Sequence, residues 1–347
     1  MRRSNRWLGL AFLLPFFPLV LAVSGCPMPD RGLAPSASPD GYLYCFWNVE
    51  NLFDDQLDHR PSEVDRPYDE WFAEDRQARE LKYRHLSQAL LKMNAGKGPD
   101  ILAIVEVESQ RAAELLRNEI NNGLADEALH YGEPIWEEVN GGRHIAPAIL
   151  LRKDFRASRT HLLEKKHRIL ETHITANGHE LILITSHWTS RVSDKEGIGR
   201  DKYAKAIYGR YRAIHHENAK ADILIAGDFN DPPDADSVVR FLHATADRDA
   251  VLRGGGEPEL FNLMAGKSAL EFGTQHHKQM AIFDQIVVSP GLLDQEGWTC
   301  DPDSINTLKD LTADQHGYPK AYGNRKHGER GYSDHFPVTV RLRVADR

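Results

Sequence analysis

Short runs of β-branched and aromatic residues recur along most of the chain and predict strands, because such residues favour the pleated, half-buried surface of a sheet. Helical patterns lie between some of these runs, so the chain is expected to be a mixed α/β protein. The predicted strands are Tyr42–Trp47, Ile101–Val105, Ala146–Leu151, Arg168–Ile174, Leu181–Thr185, Ile223–Ala226, Gln285–Ser289 and Pro337–Leu342.

Helices are predicted at three places between these strands. The first begins at about Asp75 and ends near Gly96, because apolar side chains recur there three and four positions apart and glycine favours helix termination. A second helix begins after Ser109, and a third covers Asp201–Asn218. The apolar face of the first helix consists of Tyr83, Leu86, Leu90 and Met93.

The sequence from residue 41 onward contains no internal repeat, no low-complexity run and no second linker. We therefore expect one domain over residues 41–347. The neighbouring runs 168–174 and 180–187 have the spacing of a hairpin, whose strands pair antiparallel. A sandwich with mixed sheets is thus favoured over a purely parallel, doubly wound sheet.

The N-terminal residues have the layout of a secretory signal, with basic residues first and an apolar stretch over residues 7–23. Two small residues precede Cys26 and resemble a bacterial lipobox, which implies a lipoprotein signal peptide over residues 1–25 and lipidation of Cys26. Residues 26–40 are rich in proline and predict a flexible tether. An uncleaved membrane anchor and cleavage without lipid are the alternatives. All three export the chain, and the lipid would anchor it to a bacterial membrane in the cell envelope.

Composition and charge exclude several classes of protein. Hydrophobic residues make up 41% and charged residues 27% of the 347 residues, which is typical of a folded globular protein. The formal net charge of −8 argues against a protein held to nucleic acid by overall basicity. Three cysteines are too few for a disulfide scaffold. Cys45 and Cys300 would be able to pair after export, but Cys45 lies in a predicted buried strand, and a free core thiol is the favoured interpretation.

Polar residues flank the ends of several predicted strands. Asp334 and His335 come immediately before the last strand, and the others border earlier strands. We expect these side chains to gather at one rim of the sandwich, where metal-assisted chemistry would be possible. The residues that border the earlier strands are Asn48, Glu50, Glu106, His187, Asp228, Asn230 and Asp284.

This set of side chains suits the hydrolysis of a phosphate ester. Oxygen ligands such as Glu106 and Asp334 suit Mg²⁺, with Mn²⁺ as an alternative, and the cation would neutralise the charge that develops on the phosphate. Amide and imidazole groups, here Asn48, His187 and Asn230, would donate hydrogen bonds to the nonbridging oxygens. A closed zinc site is disfavoured, because the chain has neither the cysteines nor an HExxH-like spacing for one.

A series of short motifs carries a family resemblance. The motifs are Trp47–Phe53, Pro99–Glu106, Thr185–Trp188, Gly227–Asn230, Phe283–Ile286 and Ser333–Pro337. In this order they resemble the endonuclease/exonuclease/phosphatase superfamily, and the opening motif resembles that of a bacterial exported subgroup. The motifs fall within residues 44–342, almost the whole exported chain. The resemblance implies a deoxyribonuclease I-like α/β fold, a four-layered sandwich of two mixed sheets flanked by helices.

The resemblance also implies a set of metal ligands. Glu106 would be the principal Mg²⁺ ligand, and Asn48 and Asp334 would complete the metal side. Glu50 stands where relatives often carry an acid or an amide, and it is included among the predicted ligands.

The implied mechanism is in-line attack by water, with no covalent enzyme intermediate. Asp228 would position or deprotonate the water, and Asn230 would hold the water and the phosphate. His187 and His335 would flank the scissile phosphate as donors or acid/base partners. Asp284 would orient His335 by accepting a hydrogen bond from the far ring nitrogen.

Contacts with the substrate are less marked in the sequence. Residues 187–216 carry a local excess of positive charge, and Arg191, which follows His187 by four residues, is the candidate phosphate-binding side chain. Trp188 would either stack on a base or pack beneath the rim, and packing is favoured.

We therefore expect a metal-dependent phosphoesterase, in the first instance an exported, monomeric nuclease that hydrolyses DNA or RNA. The alternative within the same chemistry is a phosphatase or phosphodiesterase that acts on phospholipid headgroups or small phosphoesters, which a membrane-tethered domain would reach. A non-catalytic binding module of the cell envelope is the alternative of another class. It is disfavoured because the full set of site residues is present.

Overall fold

Strands make up two large sheets in residues 41–345, which are the part of the chain that the computed structural model describes. The predicted signal peptide, Cys26 and the tether over residues 26–40 lie outside the described residues. The strands are β1 Tyr42–Leu52, β2 Ile101–Val107, β3 Ile135–Trp136, β4 Ala146–Leu151, β5 Arg156–Leu162, β6 Ile169–Ala176, β7 His179–His187, β8 Ile223–Asp228, β9 Ala244–Thr245, β10 Leu260–Asn262, β11 Gln275–His276, β12 Met280–Ala281, β13 Asp284–Val288, β14 Trp298–Thr307 and β15 Val338–Val344.

Helices connect some of these strands, and capping side chains fix where two of the helices begin. The Asp75 side chain accepts a hydrogen bond from the backbone N–H of Ala78, and Ser109 does the same for Ala112. The predicted helices correspond to α2, α3 and α4, whereas α1 was not predicted. The helices are α1 Arg66–Glu74, α2 Arg76–Leu91, α3 Gln110–Asn122, α4 Ile198–Glu217, α5 Arg248–Arg253 and α6 Ala269–Phe272. Short 3-10 turns cover Asn94–Gly96, Glu127–Leu129, Gly291–Leu293 and Lys309–Leu311, and a π turn covers Ser237–Phe241.

Both large sheets are mixed, as predicted. The first has the strand order β14-β15-β1-β2-β4-β3, in which β1 and β2 are parallel and the other pairs antiparallel. The second has the order β5-β6-β7-β8-β13-β10-β9 and contains the parallel pair β7–β8. The predicted hairpin is β6–β7, and its turn at Asn177-Gly178 has positive φ at both residues, as tight hairpin turns require.

The two sheets pack face to face, and helices cover their outer faces. Because side chains alternate along a strand, Tyr44 and Phe46 of β1 join the core between the sheets, whereas Cys45 and Trp47 pack against helices α2 and α3. On the second sheet, Ile184 and neighbouring residues pack against α4. The four-layered sandwich predicted from the family resemblance is thus confirmed.

Two further features concern cysteine and the membrane. Cys45 and Cys300 are both buried and unpaired within residues 41–345. Burial raises the pKa of both thiols above their usual range, so neither is a reactive thiolate at neutral pH. In the same part of the chain, no helix has the length and apolar character that a membrane crossing needs.

Candidate active site

The ends of five strands deliver polar side chains to one rim of the sandwich, as the sequence predicted. In the second sheet, His187 of β7 pairs with Asp228 of β8, which in turn pairs with Asp284 of β13. In the first sheet, Asn48 of β1 and Glu106 of β2 lie on adjacent parallel strands. The Asn48 amide bridges the two sheets, because its Nδ2 lies 3.1 Å from Asp228 Oδ2 and 3.4 Å from Glu106 Oε1.

The backbone of Glu106 leaves the regular strand conformation at the site. The β2–β4 pairing is interrupted between Ile104 and Val107, and Glu106 has a φ of 70°, which is unfavourable for a residue other than glycine. Asn51 N–H donates to Glu106 Oε2 over 2.9 Å. Burial acts to raise the pKa of Glu106, but Arg143 and this amide outweigh it, and the pKa is lowered. Glu106 is therefore ionised and suited to bind a cation.

His335 is held by carboxylates on two sides. Its Nδ1 lies 2.7 Å from Asp284 Oδ2, and its Nε2 lies 3.8 Å from Asp228 Oδ2. Burial disfavours the imidazolium, but Asp284 and Asp228 raise the pKa of His335 well above its usual value. The Asp284 carboxylate therefore fixes a proton on Nδ1 and holds the ring in this orientation.

His187 is held in the opposite protonation state. Burial, reinforced by Arg168, lowers its pKa well below the usual value. An Arg168 N–H lies 3.0 Å from His187 Nδ1, and since a guanidinium only donates, Nδ1 must accept. The proton is then on Nε2, which lies 3.5 Å from Asp228 Oδ2. The surroundings of the rim thus displace the pKa values of its two histidines in opposite directions.

Asp228 lies at the centre of this arrangement. Burial raises its pKa to about 6, with His335 acting in the opposite direction. Its Oδ1 accepts from the backbone N–H of Asn230, over 2.9 Å, and the Asn230 backbone has a φ of 51°. The Asn230 amide donates to Trp188 O over 3.3 Å. Asp228 is thus ionised at neutral pH and able to accept a proton.

Several oxygen atoms of the rim fit a divalent cation. Asp228, Asp284 and His335 offer ligand atoms within 4.8 Å of one another, and the Oδ1 atom of Asp284 is buried with no hydrogen-bond partner in the structure. Glu106 and Asp334 lie close enough for Glu106 to help raise the pKa of Asp334, although burial is the larger cause. Carboxylate oxygens are ligands that Mg²⁺ prefers. The Asn48 oxygen accepts from the Glu50 N–H over 3.0 Å, and the role of Asn48 as a ligand stays a prediction.

The Glu50 carboxylate is held by the backbone of a later part of the chain. Its two carboxylate oxygens accept hydrogen bonds from the backbone N–H groups of Tyr322 and Gly323, over 2.6 Å and 2.9 Å. Burial raises its pKa to about 7, against the effect of Lys82. Its role as a metal ligand stays a prediction.

A cavity of about 1140 Å³ opens beside the rim. Asn230 and Asp334 of the rim and the predicted phosphate-binding residue Arg191 line it. Arg191 is paired with Asp231 over 3.0 Å, and its guanidinium lies 5.9 Å from the centre of the Phe283 ring. Trp188, in contrast, is fully buried and stacks on Phe229, so the packing interpretation of this residue is confirmed.

The amino-acid sequence itself matches a known family over almost all of the described residues. The sequence model of the Endonuclease/Exonuclease/phosphatase family matches residues 44–344. The chain belongs to this family. No curated protein matches the chain.

Solved structures share the fold of this family member at low sequence identity. An endonuclease/exonuclease/phosphatase family protein from Bacteroides thetaiotaomicron superposes with a TM-score of 0.51 and 16% identity, covering 88% of this chain and 98% of its own. Danio rerio TDP2 complexed with single-strand DNA product gives 0.52 and 16%, covering 88% and 99%. A mannosyl-6-phosphatase from B. thetaiotaomicron gives 0.51 and 16%, covering 87% and 99%. The chain therefore has the phosphoesterase fold of the endonuclease/exonuclease/phosphatase family, whose enzymes use divalent metals.

Three residues that contact the site of this family member were not predicted from the sequence. Arg168 opposes His187 across the β6–β7 hairpin, and the hairpin register would have indicated it. Gln275 Nε2 lies 2.8 Å from His335 Nε2, and Arg143 lies 3.9 Å from Glu106 Oε2. Gln275 and Arg143 lie outside the predicted strands, and no pattern in the sequence connects them to the rim.

Proposed function

We propose that this chain is an exported, metal-dependent nuclease that hydrolyses phosphodiester bonds of DNA or RNA by in-line attack of water. The observation that carries the proposal is the position of two histidines around Asp228, with His187 Nε2 3.5 Å and His335 Nε2 3.8 Å from Asp228 Oδ2. A phosphoryl group placed between the two rings would meet a proton acceptor and two imidazoles able to exchange hydrogen bonds with it. We propose that the chain acts as a monomer, with the lipid on Cys26 holding it at the cell envelope.

Asp228 would accept a proton from the attacking water. Its central place and its ionised state at neutral pH fit a general base, and Asn230 would hold the water and a phosphate oxygen. His187, with its proton on Nε2, would donate to a nonbridging oxygen. His335 would act as the second acid/base partner of the phosphate through Nε2 while Asp284 keeps the ring in place.

Mg²⁺ or Mn²⁺ would be held by Glu106, Asn48 and Asp334, and it would supply charge neutralisation for the phosphate oxygens. The residues around these ligands keep them in place before any cation binds. The Ser333 hydroxyl donates to Asn48 O over 2.6 Å and accepts from His335 N–H. The segment that carries Asp334 is in this way joined to the end of β1.

The cavity beside the rim supports a polymeric substrate. It is lined by Arg191, Lys267 and Lys278 as well as by Asn230 and Asp334 of the rim. Although the protein as a whole is acidic, these positively charged side chains would attract a phosphate backbone to the cavity.

A phosphatase or phosphodiesterase on phospholipid headgroups or small phosphoesters is the second candidate. The same cavity contains apolar side chains, among them Val239, Met280 and Phe283, and Val239 is 46% exposed. An apolar wall would accommodate the non-phosphate part of a small or lipidic substrate.

The test uses the full chain in detergent with Mg²⁺, with Mn²⁺ and with EDTA. Plasmid DNA, single-stranded RNA, a chromogenic phosphodiester and a panel of phospholipids are the substrates, and Asp228→Asn is the inactive control. Glu171→Gln serves as the matched control, because Glu171 is a buried carboxylate paired with Arg210 on the helix side of the second sheet.

We expect metal-dependent cleavage of nucleic acid by the wild type and by Glu171→Gln, and none by Asp228→Asn. Phosphate or headgroup release with intact nucleic acid would favour the second candidate. Binding of nucleic acid without turnover in Mg²⁺ would favour the non-catalytic module.

A further inference from the structure

Lys82 is a cation buried beneath the rim. It lies on helix α2, and its side chain is 0% exposed. A buried lysine is rare unless it has a partner. Its Nζ donates to the backbone carbonyl of Tyr332 over 2.6 Å and lies 4.9 Å from the centre of the Tyr322 ring. Both partners belong to residues 320–333, which contain neither helix nor strand.

Glu50 contacts the same residues from the other side. The β1–β2 pairing is interrupted between Asn48 and Leu52, and both Glu50 and Asn51 have positive φ, of 50° and 56°. This turn of the backbone directs the Glu50 carboxylate to the N–H groups of residues 322 and 323, one oxygen to each. Two charge-assisted hydrogen bonds on adjacent amides fix the local backbone more firmly than neutral ones would.

Other contacts complete the attachment of this segment. His85, one turn after Lys82 on α2, has its Nδ1 2.7 Å from Gly331 O. The Tyr322 hydroxyl donates to Ala78 O, and Arg330 lies 4.7 Å from the centre of the Trp71 ring. The segment is therefore attached to β1 and to the first two helices, and it has no strand pairing of its own.

The residues that follow the segment are Asp334 and His335, which are part of the proposed site. We propose that Lys82 and Glu50 are positioning residues that hold residues 320–333 so that Asp334 and His335 reach the rim. In this role Glu50 acts on the backbone of the segment and not on the metal. The effect on catalysis rests on the proposed function, whereas the effect on the segment does not.

The test compares Glu50→Gln and Lys82→Met with the wild type and with Glu171→Gln, all as the full chain in detergent. Glutamine keeps the size of Glu50 but loses the charge, and methionine keeps the length of the Lys82 stem. Hydrogen–deuterium exchange of peptides covering residues 319–333 reports on the segment. The kcat, the KM and the Mg²⁺ concentration for half-maximal rate on a chromogenic phosphodiester report on the site.

We expect exchange in residues 319–333 to accelerate about tenfold in Glu50→Gln and in Lys82→Met, because charge-assisted hydrogen bonds are lost. We expect kcat to fall about 10²-fold, as for a misplacement of about 1 Å at a site, with the half-maximal Mg²⁺ concentration changed by less than about threefold. Lys82→Arg keeps the charge and the donor, and should restore most of the protection. Glu171→Gln should leave the exchange of the segment unchanged.

Two results would overturn the proposal. One is that residues 319–333 exchange at the wild-type rate in both Glu50→Gln and Lys82→Met. The other is a rise of tenfold or more in the half-maximal Mg²⁺ concentration of Glu50→Gln, with kcat restored by excess metal, because that pattern identifies a metal ligand. If Lys82→Met shows no cooperative unfolding transition and is therefore not folded, the proposal is tested with Glu50→Gln alone. If the wild type turns over no substrate, the proposed function fails while the exchange data still decide whether the segment is held in this way.

Discussion

Glu106 and Glu108 lie two residues apart at the end of β2, and they belong to different clusters of carboxylates. The Glu108 cluster consists of Glu108, Asp54 and Asp58, whose ligand atoms lie within 4.8 Å of one another. The rim cluster lies near Glu106, and the ligand atoms of its residues Asp228, Asp284 and His335 lie within the same distance of one another. By distance alone, both clusters would be able to hold a metal ion. Their electrostatic environments differ.

The Glu108 cluster already contains its cation. Arg60 Nε lies 2.8 Å from Glu108 Oε1, and Arg60 NH2 lies 3.0 Å from Asp58 Oδ2. The second oxygen of Glu108 accepts from the backbone N–H of Asp54. In the rim cluster, Arg143 lies 3.9 Å from Glu106, and the nearer partners are backbone amides and side-chain donors. A carboxylate cluster is therefore a candidate metal site only where no guanidinium satisfies it.

The largest expected difference between the two clusters is in activity. Glu106→Gln should lower kcat/KM by about 10²- to 10³-fold, because it removes a charge that would bind the cation at the phosphate. Glu108→Gln should leave kcat/KM per folded molecule unchanged, because Glu108 contacts Arg60 and no residue of the rim. Steady-state kinetics on a phosphodiester measures both. Equal losses in the two variants would show that the clusters act as one site.

The second-largest expected difference is in stability, and it arises in the Glu108 cluster. Arg60→Met removes the cation from Glu108, and the two side chains are 9% and 0% exposed, so the free energy of unfolding should fall by about 3 kcal/mol. Denaturant unfolding followed by circular dichroism measures the change. Arg143 does not provide the matching test, because it also pairs with the fully buried Asp65 over 2.5 Å. An unchanged free energy of unfolding in Arg60→Met would show that Glu108 and Asp58 do not need this cation.

Metal binding should stabilise the protein through the rim cluster alone. Mg²⁺ at about 100 times its dissociation constant should add about 2.7 kcal/mol to the free energy of unfolding, and EDTA should remove the gain. Glu106→Gln should lose most of this gain, whereas Asp58→Asn should keep it. The melting temperature with and without Mg²⁺ is the measurement. Retention of the gain in Glu106→Gln together with its loss in Asp58→Asn would reverse the assignment.

The smallest effect is expected at the wall of the cavity. Arg191 is 53% exposed and paired with Asp231, so Arg191→Ala should raise the KM for a polymeric substrate only about threefold and leave kcat unchanged. The effect should shrink as the salt concentration rises. Arg212→Ala is the matched control, because Arg212 has similar exposure and pairs with Glu257. A large fall in kcat for Arg191→Ala would instead place its guanidinium at the reacting phosphate.

The sequence predicted the rim because strand ends are visible in it. Buried strands are continuous apolar runs, and the polar residues that border them, such as Asn48 and Asp228, stand out by contrast. In a sandwich with parallel pairs such as β1–β2 and β7–β8, these ends meet at one edge. The family resemblance then supplied the roles. The order of the motifs also predicted the four layers.

Other features depend on conformations that a residue pattern does not encode. Glu50 lies on the same strand as Asn48, but its positive φ turns the carboxylate to residues 322 and 323, which are 272 and 273 positions later in the chain. The exposed strand β5 lacks the apolar run that identified the others. Arg60, which separates the second carboxylate cluster from a metal site, lies in a stretch with neither helix nor strand.

The two ends of the domain are neighbours in the first sheet. Tyr42, at the start of β1, pairs with Leu342 of β15, and Asp334 and His335 come just before that last strand. The first sheet therefore cannot be completed until β15 has been synthesised. A chain that ends before Asp334 lacks two side chains of the rim as well as the last strand of the first sheet. Any chemistry that needs the whole rim can begin only after this last part of the domain has folded.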